Sequence, residues 1–138
     1  MRLINFNSYV TVKIYEDIDK LNCDLSSVLK NEIQKGLCII PGGTTPKNIY
    51  EKLSNLDIKK KIKILLSDDR LVDNFNELSN YKMLMDTLKL NYYKEFPLSY
   101  YDESINNGEG KLQKKLSLIL KKNPINLSLL GIGSDVTF

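Results

Sequence analysis

Three short stretches hold the residue types that chemistry needs. The first is Gly42-Gly43-Thr44-Thr45-Pro46. Glycines let backbone N–H groups approach an anion closely, the N-terminus of a following helix adds partial positive charge, and threonine hydroxyls can donate further hydrogen bonds. A plain strand-to-helix turn would use the same residues. The second is "SDDRLVDNFNELSNY", residues 67–81, where Asp68, Asp69 and Arg70 stand together. A guanidinium is the side chain best shaped for a phosphate or a carboxylate, while a surface Asp–Arg salt bridge is the commoner use of such a cluster. Asn80, in the first turn of the helix that follows, could hold either the loop or a ligand hydroxyl. The third is Gly131-Ile132-Gly133-Ser134-Asp135-Val136-Thr137. Its glycines again permit close backbone approach, and Asp135 could serve as an acid or base or close a tight turn through an Asx-type bond. The first stretch is not a P-loop, because the Gly-Lys-Ser/Thr ending is absent, and Gly-x-Gly-x-x-Gly is absent too.

The elements that must position these stretches follow from apolar patterning. "LCIIP" (37–41) is a short continuous apolar run and reads as a strand buried on both faces. "IKILLS" (62–67) and "INLSLLG" (125–131) read as two more. "MRLINF" reads as a short strand. From Val10 two patterns compete. Val10, Val12 and Ile14 alternate like a strand, but Val10, Ile14, Ile18, Leu21, Leu25, Val28 and Leu29 form a helical seam. The longer seam favours a helix, firmest over 17–35, with Gly36 as its stop. Thr45 reads as an N-cap and Pro46 as the first helical residue. Ser79 caps a helix carrying Tyr81, Leu84, Met85 and Leu88, and Leu112, Leu116, Ile119 and Leu120 mark another. Strands alternating with helices predict an α/β fold, a mostly parallel sheet with helices on both faces. In such sheets ligands gather outside the carboxyl ends of the strands, and all three chemical stretches leave strand ends there.

The totals agree. At 138 residues, with 42% apolar and 27% charged, the chain suits a single domain. A formal charge of +3 suits an anionic small molecule without demanding nucleic acid. The one dense basic run, 59–63, reads as a solvated face. Cys23 and Cys38 are isolated and no histidine is present, so no metal site is expected. No secretory signal or 18-residue apolar span is visible, so no membrane partner is expected, and the cytoplasm is the expected compartment.

Taken together and in order, the three stretches resemble the 6-phosphogluconolactonase family, which shares its fold with glucosamine-6-phosphate deaminase and ribose-5-phosphate isomerase. "PGGTTP" (41–46) echoes that family's S-G-G-S-T-P, "DDRLVDNFNELSN" (68–80) matches its D-E-R-x-V and spaced S-N without a gap, and "LGIGSDVTF" (130–138) echoes its L-G-x-G-x-D-G-H-T. The middle motif favours lactonases over deaminases. The resemblance implies a single sugar-phosphate-binding α/β domain over 1–138 that hydrolyses 6-phosphoglucono-1,5-lactone without a cofactor, in the pentose phosphate pathway. It also implies that the chain corresponds to the N-terminal part of a family member, incomplete at its C-terminus or divergent. Gly42, Gly43, Thr44 and Thr45 would hold the 6-phosphate, with Arg70 completing the anion site. Asp68 and Asp69 would shape the loop, with Asp69 at the glutamate position and counted among the binding residues. Ser79 and Asn80 would order the helix entry, and Gly131, Gly133 and Asp135 would line the sugar end. The family's histidine, the implied general base, falls at Thr137, whose hydroxyl does not titrate near neutrality. That departure points to Asp135 or a residue outside these 138 as the base, or to a sugar-phosphate-binding domain without turnover.

Overall fold

The computed structural model describes residues 1–55, 62–90 and 95–132. The chain opens with an antiparallel hairpin, β1 (Arg2–Asn5) and β2 (Thr11–Ile14), with Arg2 opposite Ile14. Asn7 closes the turn, its side-chain oxygen accepting from the N–H groups of Tyr9 and Val10, each at 2.8 Å. This corrects the expectation of a helix reaching back to Val10. The two-residue alternation wins because β1 supplies a cross-strand partner for it, which the seam could not register. Helix α1 (Ile18–Ile33) starts where Asp17 accepts from the Asp19 N–H at 2.7 Å, within the span where a helix was firmest.

The remaining elements are β3 (Leu37–Ile40), α2 (Lys47–Ser54), β4 (Ile64–Leu66), α3 (Asn80–Leu88), α4 (Tyr100–Asn107), α5 (Glu109–Lys122) and β5 (Ile125–Ser128). Strands β4, β3 and β5 form a parallel sheet in that order, with Cys38 opposite Ile64 and Ile40 opposite Leu66. The two-residue period of the strands sorts their side chains between two layers. Cys38, Ile40, Ile64 and Leu66 face a core shared with α1, α2 and α3, where Leu29, Ile33, Tyr50, Leu53 and Leu84 are buried. Leu37 and Leu65 face the opposite core with Phe96, Leu98 and Ile119 of α5. The expected α/β sheet with helices on both faces is therefore the observed fold. Burying each large apolar side chain contributes about 1.5–3 kcal/mol, so these alternating positions fix the strand register.

Three local departures have physical reasons. Helix α2 begins at Lys47 with Pro46 as its N-cap and no side-chain cap. A turn from Thr44 to Lys47, closed at 3.2 Å, takes the place of the expected Thr45 cap. Helix α1 ends at Gln34 in right-handed backbone. Gly36 instead provides space beside Asn126, whose side chain lies 3.2 Å from where a Cβ would stand. Helix α4 has no apolar seam to announce it; it rests on the Ser99 cap and on Asp102 and Glu103 in its first turn. Among the described residues, no helix is long and apolar enough to cross a membrane.

Candidate functional site

The loop from Pro41 to Pro46 leaves the central strand β3 and is the shared wall of two clefts. One, of about 500 Å³, is lined by Gly43, Thr44, Lys47, Arg70, Asn80 and Lys82, among others. The other, of about 630 Å³, lies toward α1 and β5 and includes Asn22, Gly42, Gly43, Thr44, Thr45 and Gly131. Gly43 and Thr44 face both. Gly43 needs to be glycine for its backbone, at φ +92°. Gly42 needs to be glycine for space: a Cβ there would lie 2.0 Å from Cγ of Asn80. Behind the loop, the buried Tyr50 hydroxyl donates to the Pro41 carbonyl at 2.6 Å and fixes where the loop leaves the strand. Burial pushes that phenol well above its ordinary pKa, so it stays a donor.

The second chemical stretch, 67–79, is built around Asp69. One carboxylate oxygen accepts from the N–H groups of Arg70 (2.8 Å) and Asn80 (2.7 Å), and the other accepts from the Tyr81 N–H (3.0 Å) and the Ser79 hydroxyl (3.4 Å). A carboxylate at the start of α3 satisfies first-turn donors and complements the helix dipole. Ser79 completes the cap, accepting from the Lys82 N–H at 3.1 Å, as its position in the sequence predicts. Asp69 is thus spent on holding loop to helix, and Asp68 accepts from the Ser67 hydroxyl at 3.0 Å.

Neither acid pairs with Arg70. Its guanidinium donates instead to two neutral oxygens, Oδ1 of Asn80 at 2.6 Å and the Leu78 carbonyl at 3.4 Å. The surface Asp–Arg salt bridge that the sequence left open is not formed, and Arg70 faces the smaller cleft without a carboxylate counter-ion among the described residues. Asn80 is 4% exposed, and its Nδ2 also donates to the Asp68 carbonyl at 3.2 Å. One carboxamide therefore sets the Arg70 fork and packs against Gly42, joining the first two stretches.

The far side of the 67–79 loop is tied down as well. Ser99 donates to Asn74 Oδ1 at 2.7 Å, and Asn74 Nδ2 donates to Asp102 at 2.7 Å. The Tyr100 hydroxyl donates to the Leu66 carbonyl at the end of β4. Burial, reinforced by Asp69 and Asp68, pushes the Tyr100 phenol up to about 12.

Among the sequence-derived candidates, Gly42, Gly43, Thr44, Thr45, Asp69, Arg70, Asn80 and Gly131 gather around these clefts. Gly133, Asp135 and Thr137 lie outside the described residues. Sequence reasoning missed the cations of the smaller cleft. Lys47 stands in the first turn of α2, a position that could have flagged it. Lys82 is held by Glu77 at 3.2 Å and Asp86 at 3.0 Å, and both partners raise its pKa. It also missed Tyr50, which reads only as part of an apolar helix face.

A family model described as "Glucosamine-6-phosphate isomerases/6-phosphogluconolactonase" matches residues 18–136. A protein named glucosamine-6-phosphate deaminase from Lactobacillus helveticus (strain DPC 4571) is 30% identical over 116 residues, which cover 78% of this chain and 46% of that protein. Another protein of that name, from Oenococcus oeni (strain ATCC BAA-331 / PSU-1), is 31% identical over 112 residues, covering 78% and 47%. The chain spans about half the length of these curated relatives. Two solved structures share the fold. A 6-phosphogluconolactonase from Shewanella baltica OS155 superposes with a TM-score of 0.68 at 21% identity, covering 88% of this chain and 56% of its own. The 6-phosphogluconolactonase from Plasmodium vivax gives 0.69 at 20% identity, covering 95% and 51%.

Proposed function

We propose a chemistry that starts from one premise: the chain belongs to the glucosamine-6-phosphate isomerase/6-phosphogluconolactonase family. Its site anchors a sugar phosphate, and the reaction is hydrolysis of 6-phosphoglucono-1,5-lactone to 6-phosphogluconate. The observation that carries the anchoring step is Arg70, whose guanidinium is oriented by neutral oxygens beside Gly43 and Thr44 and keeps its charge for a ligand. The N–H groups of the glycine loop, the Thr44 and Thr45 hydroxyls and the Lys47 ammonium supply further donors to a dianion. A charge-assisted hydrogen bond to such a group contributes about 1.5–3 kcal/mol.

Anchoring the phosphate orients the lactone ring and lowers the entropic cost of attack. A water oxygen bonds to the lactone carbonyl carbon while a base takes its proton. Backbone N–H groups of a glycine turn stabilise the oxyanion. The carbon–ring-oxygen bond then breaks, and the departing oxygen takes up a proton as the new hydroxyl. Asp135 is the proposed base within these residues, because Thr137 stands at the histidine position of the family motif. General-base help is worth roughly 10²–10⁴-fold.

The curated relatives favour a second reading on the same anchor, isomerisation with deamination of an amino-sugar phosphate. The missing histidine favours a third, binding without turnover. Titration with 6-phosphogluconate, beside a lactone hydrolysis assay corrected for spontaneous opening, separates them. Turnover lost in Asp135→Asn selects the hydrolase. Ammonia release from glucosamine 6-phosphate selects the deaminase, and binding alone selects the third. Arg70→Ala weakens 6-phosphogluconate at least tenfold under every reading, and unchanged affinity overturns the anchor.

A further inference from the structure

We propose that Asn22, in the larger cleft, determines specificity for the uncharged, hydroxyl-bearing part of the ligand. This rests on the phosphate-anchoring reading for the other half of the ligand. Asn22 lies in the second turn of α1 and is 3% exposed. Among the described residues its carboxamide makes no hydrogen bond. Ser26, one turn on and equally buried, donates to the Cys23 carbonyl at 2.9 Å. Among the described residues, no side-chain nitrogen or oxygen sealed from solvent lacks a partner. The Asn22 carboxamide therefore keeps its last contact with water, and the residue lines the larger cleft.

A carboxamide so nearly buried gives up most of its hydration and gains no protein partner in return, which lowers stability. A leucine or alanine at this position would continue the apolar seam of Ile18, Leu21 and Leu25 at no such cost. An asparagine there is what a ligand contact requires. The surroundings name the ligand class. Among the described residues no charged side chain lines this cleft, whereas Lys47, Arg70, Glu77, Lys82 and Asp86 line its neighbour. Its floor is apolar, from Leu25, Ile49 and Leu129, with a few polar groups set into it, the usual make-up of a small-molecule site. A carboxamide offers a donor and an acceptor side by side, which matches adjacent hydroxyls of a sugar whose C–H face rests on the leucines. Gly43 and Thr44 border both clefts, so a ligand lying across them puts its anion on the Arg70 side and its hydroxyls on the Asn22 side.

The test follows the side-chain amide signals of Asn22 and the backbone amides of Gly43 and Thr44 by NMR. Inorganic phosphate, 6-phosphogluconate and unphosphorylated glucose are titrated in turn. The expected result is that 6-phosphogluconate moves both sets, phosphate moves only the loop amides, and glucose at high concentration moves only Asn22. In parallel, Asn22→Leu is expected to weaken 6-phosphogluconate about tenfold, leave phosphate affinity unchanged and raise Tm by about 4 °C, because an unpaired carboxamide has been removed. A purely structural asparagine would lower Tm and spare both affinities. If 6-phosphogluconate shifts the loop amides but leaves Asn22 still, this proposal fails and the phosphate anchor stands. If glucose shifts Asn22 while neither phosphate compound touches the loop, the anchor fails and this proposal stands. If no probe shifts either set, both fail.

Discussion

Gly42→Ala is the sharpest perturbation of the site, because its effect is set by one distance rather than by backbone strain. Only Gly43 and Gly108 among the described glycines have positive φ, so alanine could adopt the Gly42 backbone conformation. What forbids it is Asn80: the new Cβ would stand 2.0 Å from its Cγ, 2.1 Å from Nδ2 and 2.4 Å from Oδ1. Ordinary carbon–carbon contact is about 3.5–4.0 Å, so loop or carboxamide must give by about 1.5 Å. Asn80 cannot swing away freely, since moving it breaks the 2.6 Å bond from Arg70 and the 3.2 Å bond to the Asp68 carbonyl. One charged and one neutral bond come to about 3 kcal/mol, and overpacking a dense site costs about 1–3 kcal/mol by itself. These overlap rather than add, so the expected loss is about 2–4 kcal/mol, a large part of a domain's total of about 5–15 kcal/mol. Urea unfolding followed by circular dichroism measures it, with phosphate titration of the same protein. In an Asn80→Ala background the three clashing atoms are gone, and Gly42→Ala should then cost under about 1 kcal/mol. Equal cost in both backgrounds, or wild-type stability in the single variant, would refute the contact as the reason for glycine at this position.

Three further outcomes are expected. Tyr50→Phe keeps the buried ring but removes the bond to the Pro41 carbonyl; it should cost about 1 kcal/mol and weaken phosphate binding, read by chemical denaturation and titration. Asn74→Ala cuts the chain from Ser99 to Asp102 and should lower stability by about 2 kcal/mol, with amide exchange in 68–79 accelerating before the rest of the chain. The alkaline limb of stability should follow buried tyrosines. The Tyr100 phenol is raised in the folded state to about 12 from an ordinary 10.0. Its contribution is intact below pH 10 and disappears as pH climbs toward 12, because the unfolded chain ionises first. Absorbance titration at 295 nm should show a late-ionising class that also holds the buried Tyr50, and loss of one phenol from that class near pH 12 in Tyr100→Phe assigns the step.

The sheet was legible because its strands are continuous apolar runs, and such runs have one stable placement in a parallel sheet. Ser79 and Asn80 were legible because capping is a local act. The hairpin was not, because Val10 to Ile14 satisfies two periodicities and only pairing with Arg2–Asn5 decides between them. Helix α4 was not, because its local cap, Ser99 with Asp102 and Glu103, precedes no apolar seam, and its tie to Asn74 spans 25 positions. In the site, the glycines were expected for backbone approach. The structure gives Gly42 a different reason, contact with a residue 38 positions later, and no spacing rule encodes that. Asn22 was passed over because a polar residue inside an apolar seam carries no sequence signal of what it faces.

The 67–79 loop is stitched to α3 by Asp69, to α4 by Asn74 and Ser99, and closed at its base by Tyr100. A segment held at both ends and in the middle has little shape left to acquire when its ligand arrives. Capture should therefore proceed in one kinetic step, with an observed rate rising linearly with ligand concentration, and with little of the heat-capacity change that accompanies ordering of a loose segment.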